Sequence, residues 1–176
     1  MNKAVFLDRD GTINIDYGYV YEIKKFKYLP NAIKGLKILN DLGYLLIIVT
    51  NQSGIGRGYY TIADFNKLND YMLNDLKEKG VNIAKVYMCP HTDNDKCSCR
   101  KPEVSLFYQA IKEFDIDLSK SYLIGDKERD LSLCEKENIK GILLTTEKSK
   151  KYICKKNLYE AANYIKNEGV QTWKYL

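Results

Sequence analysis

The segment Ala4-Val5-Phe6-Leu7-Asp8-Arg9-Asp10 joins a short apolar run to two carboxylates. The apolar run is typical of a buried strand, and the side chains of extended backbone point the same way at every second residue. We therefore expect Asp8 and Asp10 to face one side, just beyond the strand. Such a pair suits hydrolysis of a phosphate monoester, because one carboxylate can attack phosphorus while the other protonates the leaving oxygen. Two anions facing a third need a cation, and Mg²⁺ prefers carboxylate and phosphate oxygens.

Similar apolar runs recur along the chain and alternate with segments of helical periodicity. In residues 33–42, for example, apolar residues recur at helical spacing. Pro30 and Asn31 suit the start of this helix and Gly43 its end, while Thr61 and Gly80 suit the bounds of the next helix. The alternation predicts an α/β fold, a Rossmann-like, doubly wound parallel sheet of about five strands with helices on both faces. The predicted strands are residues 4–7, 45–49, 85–88, 122–124 and 141–144.

Two more of these strands end in polar residues, at the edge where a sheet of this kind binds its ligands. Thr50 and the residues after it supply a hydroxyl, amides and flexible backbone N–H groups. These groups suit phosphoryl oxygens, so Thr50 is a predicted phosphate ligand. Asp126 follows the fourth strand and is predicted to complete a Mg²⁺ site with Asp8 and Asp10. Asp130 is predicted to share a helix face with Asp126 and to support it. On its own, a Gly-Asp pair would suit a turn with a helix N-cap.

Three cysteines gather around the only histidine of the chain within eleven residues. Three thiolates and an imidazole satisfy the tetrahedral coordination of zinc, and a closed set of four protein ligands indicates a structural ion. The alternative is a group of buried free cysteines beside a chance histidine. Zinc would pin a polar loop and hold Arg100 and Lys101 in place for phosphate or sugar oxygens. The predicted zinc ligands are Cys89, His91, Cys97 and Cys99.

The composition of the 176 residues predicts a single domain, residues 1–176, in the cytoplasm. A hydrophobic content of 45% is enough for one core, and the sequence has no run of signal or membrane-spanning character. The net charge of +5 comes from scattered lysines, which favours neither nucleic acid nor membrane as a partner. Cys134 and Cys154 stand alone in polar segments of helical character, and Trp173 and Tyr175 are expected to pack against the domain from a helical tail. We expect a monomer.

Together, these motifs resemble the four ordered motifs of the haloacid dehalogenase (HAD) superfamily of phosphatases. The resemblance spans most of the chain, and each motif follows a predicted strand. It implies that Asp8 is the nucleophile and Asp10 the general acid and base. It further implies that Thr50 and Lys101 stabilise the phosphoryl group and that Asp126 binds Mg²⁺. The motifs are Asp8-Arg9-Asp10-Gly11-Thr12, Thr50-Asn51, Lys101, and Gly125-Asp126 with Asp130.

Superfamily members with large cap domains insert them between these motifs, but predicted elements fill those gaps here. The chain therefore resembles a capless member with an open site. It is most similar to capless zinc-loop phosphatases of bacterial heptose nucleotide synthesis, which implies a phosphorylated sugar substrate and hydrolysis of the C7 phosphate of a heptose 1,7-bisphosphate. The five residues between His91 and Cys97 also resemble histidinol-phosphate phosphatases, and a zinc-stabilised, non-catalytic binding module is a third alternative. The implied substrate contacts are Asp16, Tyr17, Gly18, Tyr19, Asn51, Gln52, Ser53 and Arg100.

Overall fold

The computed structural model describes residues 1–172, in which six strands form one parallel sheet. The strands are β1 (Ala4–Leu7), β2 (Leu45–Asn51), β3 (Ile83–Cys89), β4 (Tyr122–Gly125), β5 (Lys140–Leu144) and β6 (Ile153–Lys155). Their order across the sheet is β3-β2-β1-β4-β5-β6, and every neighbouring pair is parallel. The chain thus winds outward from β1 in both directions, which confirms the predicted doubly wound α/β sheet.

Helices cover both faces of this sheet. The α-helices within residues 1–172 are α1 (Ala32–Asp41), α2 (Ser53–Gly56), α3 (Ile62–Glu78), α4 (Ser105–Phe114) and α5 (Leu158–Thr172), and a 3₁₀-helix spans Glu128–Glu135. Alternate residues of β1 enter different cores. Val5 and Leu7 pack with residues of α1, α3 and α5, whereas Ala4 and Phe6 pack with α4 and the 3₁₀-helix. Both faces of the sheet are therefore buried, as the period of two in a strand allows.

Local signals set the helix boundaries that the sequence predicts. The Thr61 hydroxyl accepts a hydrogen bond from Asp64 N at 3.1 Å, and the Asp64 carboxylate accepts one from Thr61 N at 2.8 Å. This reciprocal pair is a capping box, and it fixes the start of α3. Asn31 precedes α1, and Gly43 follows it with a left-handed φ of +79°, which a glycine adopts without strain.

Three details of the sequence interpretation differ from the structure. The prediction of about five strands omitted β6, because three residues are too few to show a period of two. Cys154 lies on that strand rather than in a helical segment. Asp126 and Asp130 do not share a helix face, since the 3₁₀-helix begins at Glu128. Trp173 and Tyr175 lie outside the described residues.

The carboxyl ends of the three central strands β2, β1 and β4 lie side by side. Asn51 ends β2, Asp8 follows β1, and Asp126 follows β4, so the predicted polar motifs converge at one edge of the sheet. Within residues 1–172, no cap domain stands between the strands, as predicted. No helix in this part of the chain combines the length and apolarity that crossing a membrane requires.

Candidate active site

A cavity of about 360 Å³ opens at the edge of the sheet where the carboxyl ends of β1, β2 and β4 meet. Most residues predicted to form a site contribute to its wall. Tyr17 lines a neighbouring depression instead, while Thr50 is buried, at 1% exposure, and does not line the cavity. The predicted residues that do line it are Asp8, Asp10, Asp16, Gly18, Tyr19, Asn51, Gln52, Ser53, Arg100 and Lys101.

Lys101 joins two carboxylates at the inner end of the cavity. Its Nζ lies 2.8 Å from Asp8 Oδ1 and 2.7 Å from Asp130 Oδ1, and it donates to Val49 O at 2.7 Å. The lysine is 3% exposed, so its three donors are satisfied inside the protein. Asp8 Oδ2 receives no hydrogen bond from residues 1–172, and this oxygen is available to a ligand.

Burial and neighbouring charge set the protonation of this group. Burial raises the pKa of Asp8 to about 7, with attraction to Lys101 opposing the rise and repulsion from Asp130 and Asp10 adding to it. Burial alone would lower the pKa of Lys101, but attraction to Asp8 and Asp130 outweighs that effect, so the pKa lies above its usual value. The lysine is therefore charged at neutral pH. One ammonium does not offset the clustered carboxylates, which favours binding of a further cation.

The Asp10 carboxylate is oriented by donors on both of its oxygens. Arg9 makes a two-pronged contact, from Nε to Oδ2 and from Nη2 to Oδ1, at 3.1 Å each. Asn14 Nδ2 donates to Oδ1 and Gln52 Nε2 to Oδ2, both at 2.9 Å. Arg9 is fully buried and also donates to Val20 O at 2.7 Å. Asp10 is thus held in one orientation, which is what a proton-transfer group needs.

Gln52 links Thr50 to the same network. Its amide nitrogen donates to Thr50 Oγ1 at 2.9 Å, and its amide oxygen accepts from Tyr60 OH at 2.6 Å. Both ends of this amide therefore have partners in the protein. The geometry makes Gln52 a positioning residue for Asp10, and its predicted contact with substrate stays a prediction.

Asn51 fixes the backbone from which Lys101 projects. Its Nδ2 donates to Lys101 O, and its Oδ1 accepts from Lys101 N, each at 3.0 Å. This reciprocal pair joins the end of β2 to the segment after the cysteines. It therefore determines where the lysine leaves the chain.

Asp8, Asp126 and Asp130 could hold a metal ion, because one carboxylate oxygen of each lies within 4.8 Å of the others. Asp126 Oδ1 is buried without a hydrogen-bond partner, and burial raises the pKa of this carboxyl group. Both oxygens of Asp130 already have partners in the protein. The carboxylates that retain an oxygen for a cation are therefore Asp8 and Asp126. The Asp10 side chain is outside this group, and its part in binding Mg²⁺ stays a prediction.

Two glycines make room for the carboxylates. Gly11 has a φ of +83°, and a Cβ atom there would lie 2.4 Å from Asp126 Oδ2. At Gly125, a Cβ atom would lie 2.3 Å from Asp130 Cβ. Any larger residue at either position would displace a carboxylate.

Lys127 connects the loop of predicted substrate residues to the end of β4. Its Nζ lies 3.4 Å from Asp16 Oδ2 and 3.6 Å from Asp126 Oδ2. Asp16 Oδ1 in turn accepts from Gly18 N at 2.9 Å. Lys127 thereby links the loop that contains Asp16 to the Asp126 carboxylate.

The predicted zinc ligands come together in space. His91 Nδ1 lies 3.5 Å from Cys89 Sγ and 3.2 Å from Cys99 Sγ, and Cys97 Sγ lies 3.6 and 3.5 Å from the same two sulfurs. Sulfurs bound to one zinc ion are about 3.8 Å apart, given tetrahedral geometry and a Zn–S distance of about 2.3 Å. The Cys89 and Cys99 sulfurs are closer, at 2.7 Å, and neither forms a disulfide. The donor set fits a zinc ion.

Arg100 faces a carboxylate of the loop between His91 and Cys97 at the rim of the cavity. Its Nε donates to Asp93 Oδ1 at 2.6 Å, and its Nη1 donates to His91 O at 3.4 Å. Arg57 Nη2 approaches the other oxygen of Asp93 at 3.7 Å. An anionic ligand would therefore compete with Asp93 for two arginines.

The sequence prediction missed several residues that line or support the cavity, among them Arg9, Tyr60, Lys127 and Arg129. Arg9 lies between the two motif aspartates, but arginine is rarely buried, so its support of Asp10 was unexpected. Lys127 and Arg129 flank a predicted carboxylate site, and their charges were an available signal. Tyr60 carried no signal until the fold placed it beside Gln52.

Comparisons with known proteins agree with this geometry. A family model described as HAD-hydrolase-like matches residues 98–167. The chain is 46% identical over 170 residues to D-glycero-beta-D-manno-heptose-1,7-bisphosphate 7-phosphatase of Helicobacter pylori strain J99, covering 94% of this chain and 98% of the relative. It is 41% identical to D-glycero-alpha-D-manno-heptose-1,7-bisphosphate 7-phosphatase of Campylobacter jejuni, covering 96% and 98% of the two chains.

A solved structure is similar over nearly the same length. D,D-heptose 1,7-bisphosphate phosphatase from B. bronchiseptica, complexed with magnesium and phosphate, matches with a TM-score of 0.86 at 26% identity. The match covers 94% of this chain and 99% of that one. The similarity therefore spans nearly the full length of both chains.

Proposed function

The chain belongs to the heptose 1,7-bisphosphate 7-phosphatase family of HAD-like hydrolases, and we propose that it removes the C7 phosphate of D-glycero-D-manno-heptose 1,7-bisphosphate. One observation carries the proposal. Asp8 Oδ2, without a hydrogen bond from residues 1–172, lies in a cavity that Asp10 and Lys101 also line. A nucleophile, a proton carrier and a positive charge thus meet at one place. The product, heptose 1-phosphate, would serve bacterial heptose nucleotide synthesis.

The reaction proceeds in two displacements at phosphorus. Asp8 Oδ2 attacks the C7 phosphorus, the bond from phosphorus to the C7 oxygen breaks, and Asp10 gives its proton to that oxygen. Asp8 then carries the phosphoryl group. In the second step Asp10 takes a proton from water, the water oxygen attacks phosphorus, and the bond to Asp8 breaks to release inorganic phosphate. The contacts of Arg9 and Gln52 keep Asp10 aligned through both steps.

Lys101 supplies positive charge to the phosphoryl oxygens. It lies 2.8 Å from Asp8 Oδ1, and its burial keeps water from weakening the interaction. Asp130 and Asn51 hold it there. Thr50, the second predicted phosphoryl stabiliser, is buried outside the cavity wall, and we propose that it acts by holding Gln52, which donates to its Oγ1 at 2.9 Å, rather than by direct contact.

Mg²⁺ is the proposed catalytic ion, held by Asp8 and Asp126 with Asp10 as the third predicted ligand. The unpartnered Asp126 Oδ1 supports this assignment. When bound, the ion neutralises carboxylate and phosphate charge. The protein's own residues do the rest in this proposal. The predicted substrate residues bind the sugar, Asp130 and Asn51 hold Lys101, and Asp10 transfers the proton.

A structural zinc ion at Cys89, His91, Cys97 and Cys99 completes the proposal. Because Arg100 and Lys101 follow Cys99 directly, an ion at this cluster would limit their movement. Metal analysis of freshly purified protein tests this assignment, and about one zinc per chain is expected.

We further propose a cytoplasmic monomer that acts on a small sugar phosphate and binds neither membrane nor nucleic acid. Light scattering of the purified chain measures its oligomeric state, and a monomer mass near 20.4 kDa is expected. A mass of twice this value would refute the monomer.

Phosphate release from a panel of esters tests the function. Both anomers of the heptose bisphosphate are assayed beside histidinol phosphate, with Mg²⁺ and with a chelator. We expect Mg²⁺-dependent release from at least one heptose anomer, at a kcat/KM well above that for histidinol phosphate. Efficient hydrolysis of histidinol phosphate with none of either heptose anomer would refute the proposal. Absence of turnover on every ester would favour the non-catalytic binding module.

A further inference from the structure

Five cationic residues line the active-site cavity, and four of them already have carboxylate partners within residues 1–172. Arg57 and Arg100 contact Asp93, Lys101 contacts Asp8 and Asp130, and Lys127 contacts Asp16 and Asp126. The fifth cation is Arg129, which forms neither an ion pair nor a hydrogen bond with the described residues. Its charge is thus the one that an arriving anion could meet without displacing a protein carboxylate.

Arg129 also has a particular place in the cavity. A second cavity of about 330 Å³ lies beside the zinc loop, and the two cavities share Asp93, Arg100, Lys101 and Arg129 in their walls. Arg129 therefore lies where the active-site cavity continues toward that loop.

The neighbouring residue fixes the position of Arg129. Asp130 is 4% exposed, binds Lys101 at 2.7 Å, and accepts from the backbone of Lys127 at 3.0 Å. The Arg129 backbone is therefore held one residue from a group that contacts the reacting centre, while its side chain is exposed. Its planar fork can donate two hydrogen bonds to one phosphate.

We propose that Arg129 binds the phosphate that the reaction retains, and that it thereby makes the site prefer a bisphosphate over the corresponding monophosphate. The inference rests on the proposed function, in which the C7 phosphate reacts and the C1 phosphate stays. Arg100 shares the wall at this point, but its guanidinium must first exchange Asp93 for the phosphate. Arg129 is a specificity residue that takes no part in the bond changes at phosphorus.

The test compares Arg129→Gln with the wild type on heptose 1,7-bisphosphate and heptose 7-phosphate. Loss of a charge-assisted contact should lower kcat/KM on the bisphosphate about tenfold or more, with a much smaller loss on the monophosphate. Arg129→Lys should restore part of the preference. Lys136→Gln removes one exposed charge from the end of the same 3₁₀-helix outside both cavities, and should leave the ratio unchanged. Equal losses on both substrates, or no loss on either, would overturn the inference.

A second measurement separates this inference from the proposed function. The heptose bisphosphate and 7-phosphate are used as inhibitors of p-nitrophenyl phosphate hydrolysis, in both the wild type and Arg129→Gln. If the wild type hydrolyses neither heptose ester, the proposed function is wrong, yet weaker inhibition by the bisphosphate alone in the variant would still support the role of Arg129. Unchanged inhibition by both esters would overturn it.

Discussion

The inner end of the cavity and its rim are built from the same kinds of charged residue in different surroundings. At the inner end, Arg9 and Lys101 are 0% and 3% exposed, and every donor of Lys101 has a partner. At the rim, the Asp93 side chain is 67% exposed and its partner Arg57 38%. Exposed ion pairs contribute little to stability, whereas breaking a buried pair leaves an uncompensated charge. The inner end is therefore preset for reaction, while the rim can exchange its ion pairs for contacts with a ligand.

Because the two regions differ in burial, substitutions in them should affect different kinetic properties. Changes at the inner end should reduce turnover of every substrate, because they alter the reacting centre itself. Changes at the rim should alter the apparent affinity for one substrate relative to another.

Replacing the proposed nucleophile should have the largest effect. Asp8→Asn removes the attacking oxygen with little change in size, so kcat should fall by about 10⁴-fold or more. Steady-state phosphate release measures the loss, and circular dichroism checks that the fold is retained. Asp70→Asn, an exposed change on α3, is the control and should retain wild-type kcat. A kcat of Asp8→Asn close to that of the wild type would contradict the assignment of Asp8 as the nucleophile.

Removing the buried ammonium should come next. Lys101→Met leaves Asp8 and Asp130 without their shared cation, and kcat should fall by about 10²–10³-fold. The same change should lower thermal stability, because two buried carboxylates lose their partner. Lys85→Met breaks a pair with Glu113 in which both side chains are over 40% exposed, and it should cost little in either measurement. Equal effects of the two lysine changes would remove the distinction between buried and exposed pairs.

Loss of a proposed zinc ligand should lower thermal stability more than it lowers the rate of catalysis. In Cys97→Ser, weaker metal binding should lower the free energy of unfolding by about 2–3 kcal/mol, or the melting temperature by about 5–10 °C. Calorimetry combined with metal analysis measures both. Cys154→Ser lies on β6, away from the cluster, and should retain the bound metal. Full metal content and an unchanged melting temperature in Cys97→Ser would contradict the zinc assignment.

The smallest effect is expected at the rim. Asp93→Asn frees Arg57 and Arg100 and removes a charge that repels phosphate, so KM should fall by about two- to fivefold while kcat stays within about twofold. Initial rates at low and high salt measure the change, which should shrink as salt is added. Asp41→Asn, at the exposed end of α1, is the control. A large fall in kcat in Asp93→Asn would mean that the rim takes part in the chemistry.

Much of this arrangement could be predicted from the sequence. The strands that carry Asp8, Thr50 and Asp126 are apolar runs followed directly by polar motifs, and parallel strands bring such motifs to one edge. The cysteine and histidine cluster follows from spacing alone. By contrast, β6 has three residues, and it forms a strand because β5 offers it a pairing edge, which no local pattern reveals.

The side-chain network could not be predicted in the same way. Arg9 is buried and binds Asp10, and Asp130 binds Lys101 across 29 positions of sequence. Both contacts depend on which elements pack together. Asp130 was expected to support Asp126 along a helix, but the chain turns between them and directs it to the lysine. Residue types predict which chemistry is available, whereas packing determines which side chains hold the reacting groups in place.

The regiochemistry of hydrolysis tests the central claim most directly. Phosphorus NMR of the wild-type enzyme with Mg²⁺ and heptose 1,7-bisphosphate follows the C1 and C7 phosphate signals separately. We predict that the C7 signal disappears, that inorganic phosphate appears in equal amount, and that the C1 signal persists. Release of the C1 phosphate, or retention of both signals for both anomers, would contradict the account.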